Sequence, residues 1–259
     1  MSGEVTRSAV VTGAGMGVGG IGRAIAARLA QAGVSALLAD ADPRVEEAAE
    51  QVRKMLPREG DAPKISHFVG DLSEEMVAAA LIDKAVVDFG RIDILVNAAG
   101  SGVIRPFLEH DAESLTATLK RNLWTTIWCT HKALPHMVAR NHGRIINIGA
   151  DSLRTGIPNH AGYNAAKGGV IGLMVGLAKE FAQYDITVNT VSPCVVNTPR
   201  HREALKNNAE LTKAFVRVVP KARGAEISEI ADAVLFLAGR ECAFITGQDL
   251  SVNGGSAMP

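Results

Sequence analysis

A tyrosine and a lysine four residues apart, Tyr163 and Lys167, are the first pair in this 259-residue chain that could do acid–base chemistry. On a helix this spacing places both side chains on one face. Free tyrosine has a pKa of about 10. A nearby ammonium group stabilises the phenolate, which makes the tyrosine a better proton shuttle. Such a pair also arises by chance, as a buried tyrosine beside a solvated lysine. It predicts proton transfer to a carbonyl oxygen only in company with other signals.

A glycine-rich turn near the N-terminus is the second chemical signal. Six glycines fall within residues 13–22 of the segment VVTGAGMGVGGIGRAIA. Glycine there lets the backbone approach a pyrophosphate, and the N–H groups that begin the following helix carry partial positive charge. These features predict a dinucleotide site.

The residue that ends the next predicted strand, Asp40, indicates which dinucleotide binds. A carboxylate at this position can accept hydrogen bonds from both ribose hydroxyls, and it repels a 2′-phosphate. The following residue is Ala41 rather than an arginine that could hold that phosphate. The sequence therefore predicts NAD rather than NADP as the cofactor.

Short apolar segments that alternate with longer helical patterns must position these residues. The predicted strands are 9–12, 35–39, 65–69, 92–97, 143–148, 186–191 and 249–253. The predicted helices are 21–32, 44–55, 74–89, 112–138, 161–183 and 225–238. This alternation predicts an α/β fold in one domain, residues 1–259, with a parallel sheet covered by helices on both faces. The polar segment 197–224 follows the carboxyl end of a strand, where open sheets bind ligands, and is predicted to be a substrate lid.

Composition excludes several classes of partner. Lys plus Arg and Asp plus Glu number 27 each, and no basic stripe indicates nucleic acid. No apolar run approaches the roughly 18 residues that a membrane span needs, and no signal peptide is evident. The three cysteines are far apart and lack metal-ligand spacing, which fits a reduced compartment and no metal site. We therefore expect a cytoplasmic protein that acts on a small-molecule substrate.

The order and spacing of the motifs make the whole chain resemble the short-chain dehydrogenase/reductase family, particularly members that reduce 3-oxoacyl thioesters or oxidise secondary alcohols. The matching segments are Thr12-Gly13 with Gly20-Ile21-Gly22, Asp71-Leu72, Asn97-Ala98-Ala99-Gly100, Asn122, Tyr163 with Lys167, residues 193–198, EIADAVLFLA and ITGQDLSVNGG. The resemblance implies a single Rossmann-like doubly wound domain, hydride transfer between a nicotinamide and a carbinol carbon, and a homotetramer.

The resemblance also implies a role for each matching residue. Tyr163 would be the acid–base group, Lys167 would hold the nicotinamide ribose and lower the tyrosine pKa, and Asn122 would support a proton-relay water. The cofactor contacts would be Gly13, Gly20, Ile21 and Gly22 at the phosphates, Asp71 and Leu72 at the adenine, Asn97 in the cofactor wall, and Thr198 at the carboxamide.

Two departures from the family pattern concern glycines. The family phosphate loop, T-G-x-x-x-G-x-G, has eight residues, whereas residues 12–22 are eleven. We interpret this as a three-residue expansion in which Gly13, Gly20 and Gly22 are the nearest equivalents. An alternative register uses Gly13, Gly17 and Gly19. Where the family has glycine, this chain has Cys194, which we interpret as a packing change rather than a reactive thiol.

A third departure affects the chemistry. The family has a serine thirteen residues before the tyrosine, and here that position holds Ala150. Ser152 lies two positions on, which in an extended segment is roughly 6–7 Å away. Asp151 is close but negative, so it would oppose a developing alkoxide. Losing one oxyanion donor costs about 10²–10³ in rate, which slows an enzyme without abolishing its activity.

Three functions stay open from the sequence. The favoured one is an active NAD-dependent enzyme that interconverts a secondary alcohol and a ketone, with Ser152 or a water in place of the absent hydroxyl. The second is a specialised member whose substrate supplies that contact, with 3-oxoacyl thioester reduction as an alternative reaction. The third is a catalytically weak dinucleotide-binding sensor or assembly subunit. Near the tyrosine, Arg154 could meet an anionic substrate, although its sequence position favours a surface arginine, and His160 could equally face the pocket or the solvent.

Overall fold

The computed structural model describes residues 6–16, 20–57 and 62–258. Seven strands form one sheet in the order β3-β2-β1-β4-β5-β6-β7, and all neighbouring pairs are parallel. The strands are β1 Ser8–Thr12, β2 Ser35–Asp40, β3 Ile65–Val69, β4 Ile94–Asn97, β5 Gly143–Ile148, β6 Ile186–Pro193 and β7 Asp249–Val252. The predicted α/β fold, a doubly wound parallel sheet between helices, is confirmed.

Helices connect the strands on both faces of the sheet. They are α1 Ile21–Gln31, α2 Val45–Lys54, α3 Glu75–Phe89, α4 Ala112–Leu119, α5 Thr125–Ala139, α6 Ser152–Thr155, α7 Ala161–Glu180, α8 Pro199–Asn207, α9 Ala209–Arg217 and α10 Ile227–Leu237. A π-helical turn, Lys120–Trp124, joins α4 to α5. Within the described residues, no helix combines the length and the apolar character that crossing a bilayer requires.

Two apolar cores lie on opposite faces of the sheet. Helices α1, α2 and α10 cover one face, and α3, α5 and α7 cover the other. Successive strand residues point to opposite faces, so Val10 packs in one core and Val11 in the other. Burying one such side chain contributes about 1.5–3 kcal/mol, which explains why strands covered on both faces are almost wholly apolar.

Several element boundaries differ from the sequence prediction. The strand predicted at 92–97 begins at Ile94, because the Asp93 carboxylate instead accepts hydrogen bonds from the Ser8 backbone and from Arg91. The helix predicted at 112–138 contains the π-helical turn. The segment 197–224 is largely helical and contains α8 and α9.

The strand order places the ligand crevice. Strand β1 pairs with β2 on one side and β4 on the other, so the chain reverses its direction of winding between β1 and β4. Loops diverge at such a point and leave a crevice at the carboxyl ends of the strands. Gly13 follows β1, and Gly100 lies just beyond β4 at this edge.

Candidate active site

The turn after β1 packs directly against the loop after β4. Gly13 has a φ of +64°, and a Cβ there would lie 2.6 Å from Ala99 Cα. A Cβ on Gly22 would lie 2.4 Å from the Gly13 carbonyl oxygen. The Thr12 hydroxyl accepts hydrogen bonds from the backbone N–H groups of Ala98 and Ala99 at 3.1 and 3.0 Å. Only glycine permits this close approach, which forms the floor of the crevice.

Helix α1 points its N-terminus into the crevice. Gly20 precedes the helix with a φ of +67°, and no side chain caps the first turn, which contains no acidic residue. The first N–H groups of a helix have no partner within it, so this end can bind an anion. The alternative register involved Gly17 and Gly19, which lie outside the described residues.

Asp40 is held in a fixed orientation at the end of β2. Its two carboxylate oxygens accept hydrogen bonds from the backbone N–H groups of Gly15 and Asp42, each at 2.9 Å. A Cβ on Gly15 would lie 2.9 Å from the Asp40 carboxylate. Gly15 is therefore a site residue that sequence reasoning missed. Its only signal was one glycine among six, and the contact that makes it necessary joins positions 25 residues apart.

A cleft of about 540 Å³ runs along these elements. It brings together Gly13, Gly20, Ile21, Gly22, Asp40, Asp71 and Leu72 from the sequence prediction, and also Gly15, Arg121 and Thr125. The Asp71 carboxylate accepts a hydrogen bond from the Ser73 backbone at 3.0 Å, which fixes the turn before α3.

Asn97 lies beneath the cleft wall rather than on its surface. It is buried, and its side-chain amide donates to the Thr130 hydroxyl at 3.0 Å and to Asn147 Oδ1 at 2.9 Å. It does not line the described part of either cleft. The contacts position the end of β4, on which Ala98 and Ala99 form the wall.

A second cleft, of about 450 Å³, joins the first at Ile21, Ala98, Gly100 and Ser101. Tyr163 and Lys167, on the first turns of α7, face this cleft together with Ala150, Ser152 and Thr198. The parallel strands β5 and β6 end here, and α8 begins here. The two clefts therefore place Tyr163 and Lys167 next to the cleft that Asp40 lines.

Burial dominates the electrostatics of the acid–base pair. It raises the pKa of Tyr163 to about 12 and lowers the pKa of Lys167 to about 8. The ammonium lies 5.8 Å from the tyrosine ring centroid and donates to the Ile148 carbonyl oxygen at 2.7 Å. We expected the lysine to lower the tyrosine pKa, but desolvation outweighs it in the protein alone. The phenol therefore keeps its proton at neutral pH, and no described residue accepts a hydrogen bond from it.

The π-helical turn brings Asn122 to the same place. A π-helical turn inserts one extra residue into the helix, and this one directs a fully buried asparagine inward. The amide of Asn122 donates to the carbonyl oxygens of Thr118 and Ser101, while its buried Oδ1 has no partner among the residues that the structure describes. A Cβ on Gly100 would lie 2.5 Å from this Oδ1 and 3.3 Å from Lys167 Nζ. Glycine thus keeps open a polar space between the amide oxygen and the ammonium.

Ala150 stands on the cleft wall where the family pattern has a hydroxyl, and it is 7% exposed. Ser152 also lines the cleft, as the first residue of α6. Its hydroxyl donates to Asn164 Oδ1 at 2.6 Å, and the Asn164 amide donates back to the Ser152 carbonyl oxygen. The Ser152 hydroxyl therefore faces the cleft while its proton is already donated in the hydrogen bond to Asn164.

Asp151 faces away from the cleft and holds the C-terminal segment. Its carboxylate is fully buried and accepts hydrogen bonds from Ser256 Oγ at 2.6 Å and Asn253 Nδ2 at 3.1 Å. Arg154 forms ion pairs with this carboxylate at 3.6 Å and with Asp249 at 2.7 Å. Asp151 therefore does not oppose charge in the cleft, and Arg154 is not available to an anionic substrate.

The first turn of α8 closes the far side of the second cleft. Thr198 caps the helix, because its hydroxyl oxygen accepts a hydrogen bond from the His201 backbone at 3.1 Å. His160 and Cys194 line the same cleft. The φ of Cys194 is not positive, so this position does not require glycine.

Comparisons with known proteins agree with this geometry. A family model described as "Enoyl-(Acyl carrier protein) reductase" matches residues 16–257. A 2,3-dihydroxy-2,3-dihydro-p-cumate dehydrogenase from Pseudomonas putida is 51% identical over 96% of this chain and 94% of its own. An acetoacetyl-CoA reductase from Allochromatium vinosum is 36% identical over 98% of this chain and 100% of its own. The crystal structure of levodione reductase superposes with a TM-score of 0.89, at 29% identity, over 99% of this chain and 100% of that one.

Proposed function

The chain belongs to the short-chain dehydrogenase/reductase family and is an oxidoreductase that acts on a CH–OH group, and we propose that its hydride carrier is NAD(H). The arrangement around Asp40 supports NAD. The fixed carboxylate can accept hydrogen bonds from two ribose hydroxyls, and its charge disfavours a 2′-phosphate. Arg44, the nearest arginine in sequence, is held by Asp42.

The residues of the two clefts fit a nicotinamide dinucleotide. The free N–H groups of α1 suit the pyrophosphate, and Asp71 and Leu72 suit the adenine. Thr198 has a hydroxyl proton available for the carboxamide, because its oxygen acts only as acceptor in the helix cap. The unpartnered Oδ1 of Asn122 and the ammonium of Lys167 suit a bridging water and the nicotinamide ribose. When bound, the nicotinamide gives or accepts the hydride.

Proton transfer at the substrate oxygen falls to Tyr163. In ketone reduction its phenol donates a proton to the oxygen that gains negative charge, and in alcohol oxidation the phenolate takes that proton back. A water in the polar space beside Gly100, held by Asn122 and Lys167, would relay the proton towards solvent. Ser152 contributes a polar contact on the opposite wall.

The proposed substrate is a vicinal diol on a partly reduced ring. The name of the relative at 51% identity describes such a diol. Because Ala150 has no hydroxyl, the cleft has more space and a less polar wall where the reacting oxygen would lie. A second substrate hydroxyl on the neighbouring carbon could lie there and donate to Ser152, whose lone pairs stay free. The second candidate reaction is the reduction of a 3-oxoacyl thioester, which the relative at 36% identity favours.

The observation that carries the proposal is the position of Tyr163, which lines the cleft that meets the Asp40 site and whose hydroxyl has no hydrogen-bond partner among the described residues. Tyr163→Phe should abolish NAD reduction with a cyclic vicinal diol while leaving the affinity for NADH within about twofold of the wild type. Unchanged turnover in this variant would remove the mechanism. A wild-type protein that binds NADH but turns over neither diols nor 3-oxoacyl thioesters would instead support the sensor or assembly subunit.

We propose a homotetramer located in the cytoplasm. Helix α7 presents Val175 exposed, and Gly172 and Gly176 open to space, where a second helix could approach closely. Phe244, near the C-terminus, is fully exposed. Light scattering that gives a monomer mass at all concentrations would remove the tetramer. The described cysteines are all unpaired, as a reduced compartment requires.

A further inference from the structure

The second cleft carries formal positive charge and no formal negative charge. None of the described residues that line it is an aspartate or a glutamate, whereas Lys167 and Arg200 both line it. Most of its other walls are apolar, including Ile104, Ile157 and Val196. Lys167 belongs to the proton-transfer machinery at the base of the cleft. Arg200 is exposed on the first turn of α8 and has no assigned role.

Arg200 differs from the other charged side chains of its helix. Arg202 pairs with Glu226 at 3.1 Å, and Glu203 pairs with Lys206 at 3.2 Å. Arg200 has no ion-pair or hydrogen-bond partner among the described residues. A guanidinium matches the two oxygens of a carboxylate, so an unpaired one at the mouth of an acid-free cleft is suited to bind such an anion.

The neighbouring His201 supplies a second, independent observation. The His201 side chain lines the same cleft, and its buried Nε2 has no hydrogen-bond partner among the described residues. A buried polar nitrogen without a partner costs free energy that a ligand oxygen could recover. Burial lowers the pKa of His201, so the ring is neutral at pH 7 and contributes a hydrogen bond rather than charge.

We propose that Arg200 and His201 form an anion subsite that binds a carboxylate carried by the substrate, at the end of the molecule away from the reacting hydroxyl. This inference rests on the proposed function, because it takes the second cleft as the substrate site. It narrows the substrate class to alicyclic alcohols or ketones with an anionic group. From the sequence, Arg154 was the candidate for binding an anionic substrate. Because Arg154 is engaged in ion pairs, we assign this role to Arg200 instead.

The test compares benzoate with benzamide, which has nearly the same shape and no charge. Each is titrated by calorimetry into the protein saturated with NADH, in the wild type, Arg200→Gln and Arg202→Gln. The wild type should bind benzoate more tightly than benzamide. Arg200→Gln should weaken the binding of benzoate by about tenfold and leave the affinity for benzamide within about twofold of the wild type. This is the effect expected for the loss of one charge-assisted hydrogen-bonded pair at an exposed position. Arg202→Gln is the matched control and should change neither.

Three outcomes would overturn the subsite: no benzoate binding by the wild type, equal affinity for benzoate and benzamide, or equal weakening by the two arginine variants. His201→Phe gives a second measurement, because it keeps an aromatic ring without the Nε2 hydrogen bond and should weaken the binding of both benzoate and benzamide; unchanged benzoate affinity would remove His201 from the subsite. The titration needs no turnover. Binding of benzoate without oxidation of a diol would therefore contradict the proposed reaction and support the anion subsite. Oxidation of a diol without binding of benzoate would support the reaction and contradict the subsite.

Discussion

The hydroxyl of Ser152 lies 2.6 Å from Oδ1 of Asn164 and donates its only proton there. The Asn164 amide answers with a hydrogen bond to the Ser152 carbonyl oxygen at 3.1 Å, so the two residues hold each other in place. While this pair persists, Ser152 can accept a hydrogen bond from a substrate hydroxyl but cannot donate one to a substrate carbonyl. A serine at position 150 would also stand on the cleft wall.

Ser152→Ala should therefore lower kcat/KM by no more than about tenfold, with the loss mainly in KM. A full oxyanion donor would instead cost about 10²–10³, mainly in kcat. Ala150→Ser should raise kcat for ketone reduction, or restore the loss in Ser152→Ala. Steady-state kinetics of the two single variants and the double variant give the comparison. A kcat loss of about 10² or more in Ser152→Ala would show that the serine leaves Asn164 and donates to the substrate.

Cofactor preference should follow the charge at position 40. Asp40→Ala combined with Ala41→Arg should weaken the binding of NADH by about tenfold or more, because a charged hydrogen-bond acceptor is lost. It should strengthen the binding of NADPH, because an arginine that can pair with the phosphate is gained. Fluorescence titration with both reduced cofactors measures the change. Asp232→Ala is the control, since that carboxylate pairs with Arg28 and does not line the described part of either cleft. Tighter binding of NADPH than NADH by the wild type would show that Asp40 does not select NAD.

The raised pKa of Tyr163 can be measured directly, because the chain has only two tyrosines. In Tyr184→Phe, Tyr163 is the only tyrosine left, and its pKa of about 12 predicts almost no tyrosinate absorbance below about pH 10 in the protein without cofactor. A raised pKa means that the phenolate grows with pH, so kcat/KM for alcohol oxidation should rise from pH 7 upwards. The Lys167 ammonium loses its charge around pH 8, and this should flatten the rise.

An ultraviolet pH titration and an oxidation pH profile on the same variant make the comparison. Tyrosinate that forms with a midpoint below about 10 would mean that Lys167 outweighs burial. Lys167→Met should remove the flattening and lower the rate at every pH.

Alanine substitutions at two glycines with positive φ distinguish the cost of backbone strain from the cost of close packing. Gly33 has a φ of +82° and nothing within 4 Å of a Cβ, so Gly33→Ala should lower the free energy of unfolding by about 1–2 kcal/mol through strain alone. Gly13→Ala has the same strain and would place a Cβ 2.6 Å from Ala99, which should add about 1–3 kcal/mol. Denaturant unfolding measures both variants. Only Gly13→Ala should also lose NADH affinity, and equal behaviour of the two would contradict the tight packing of the turn.

Much of this protein follows from local patterns in the sequence. The alternation of apolar strands and longer helices determined a parallel sheet covered on both faces, because strands buried on both sides must be apolar throughout. The spacing of Tyr163 and Lys167 on a helix determined that they share a face, and the glycine-rich turn with Asp40 predicted the dinucleotide cleft. These are short-range consequences of backbone geometry, so no distant contact was needed to predict them.

Other features depended on contacts between residues far apart in the chain. The need for glycine at position 15 comes from the Asp40 carboxylate, and the commitment of Ser152 comes from Asn164. Burial by surrounding elements raised the tyrosine pKa against the expected effect of its lysine neighbour. Ion pairs with Asp151 and Asp249 occupied Arg154, while Arg200 was left open to the cleft. Sequence spacing determines which side chains share one element, but the partner and the solvent exposure of each are decided only when separate elements pack together.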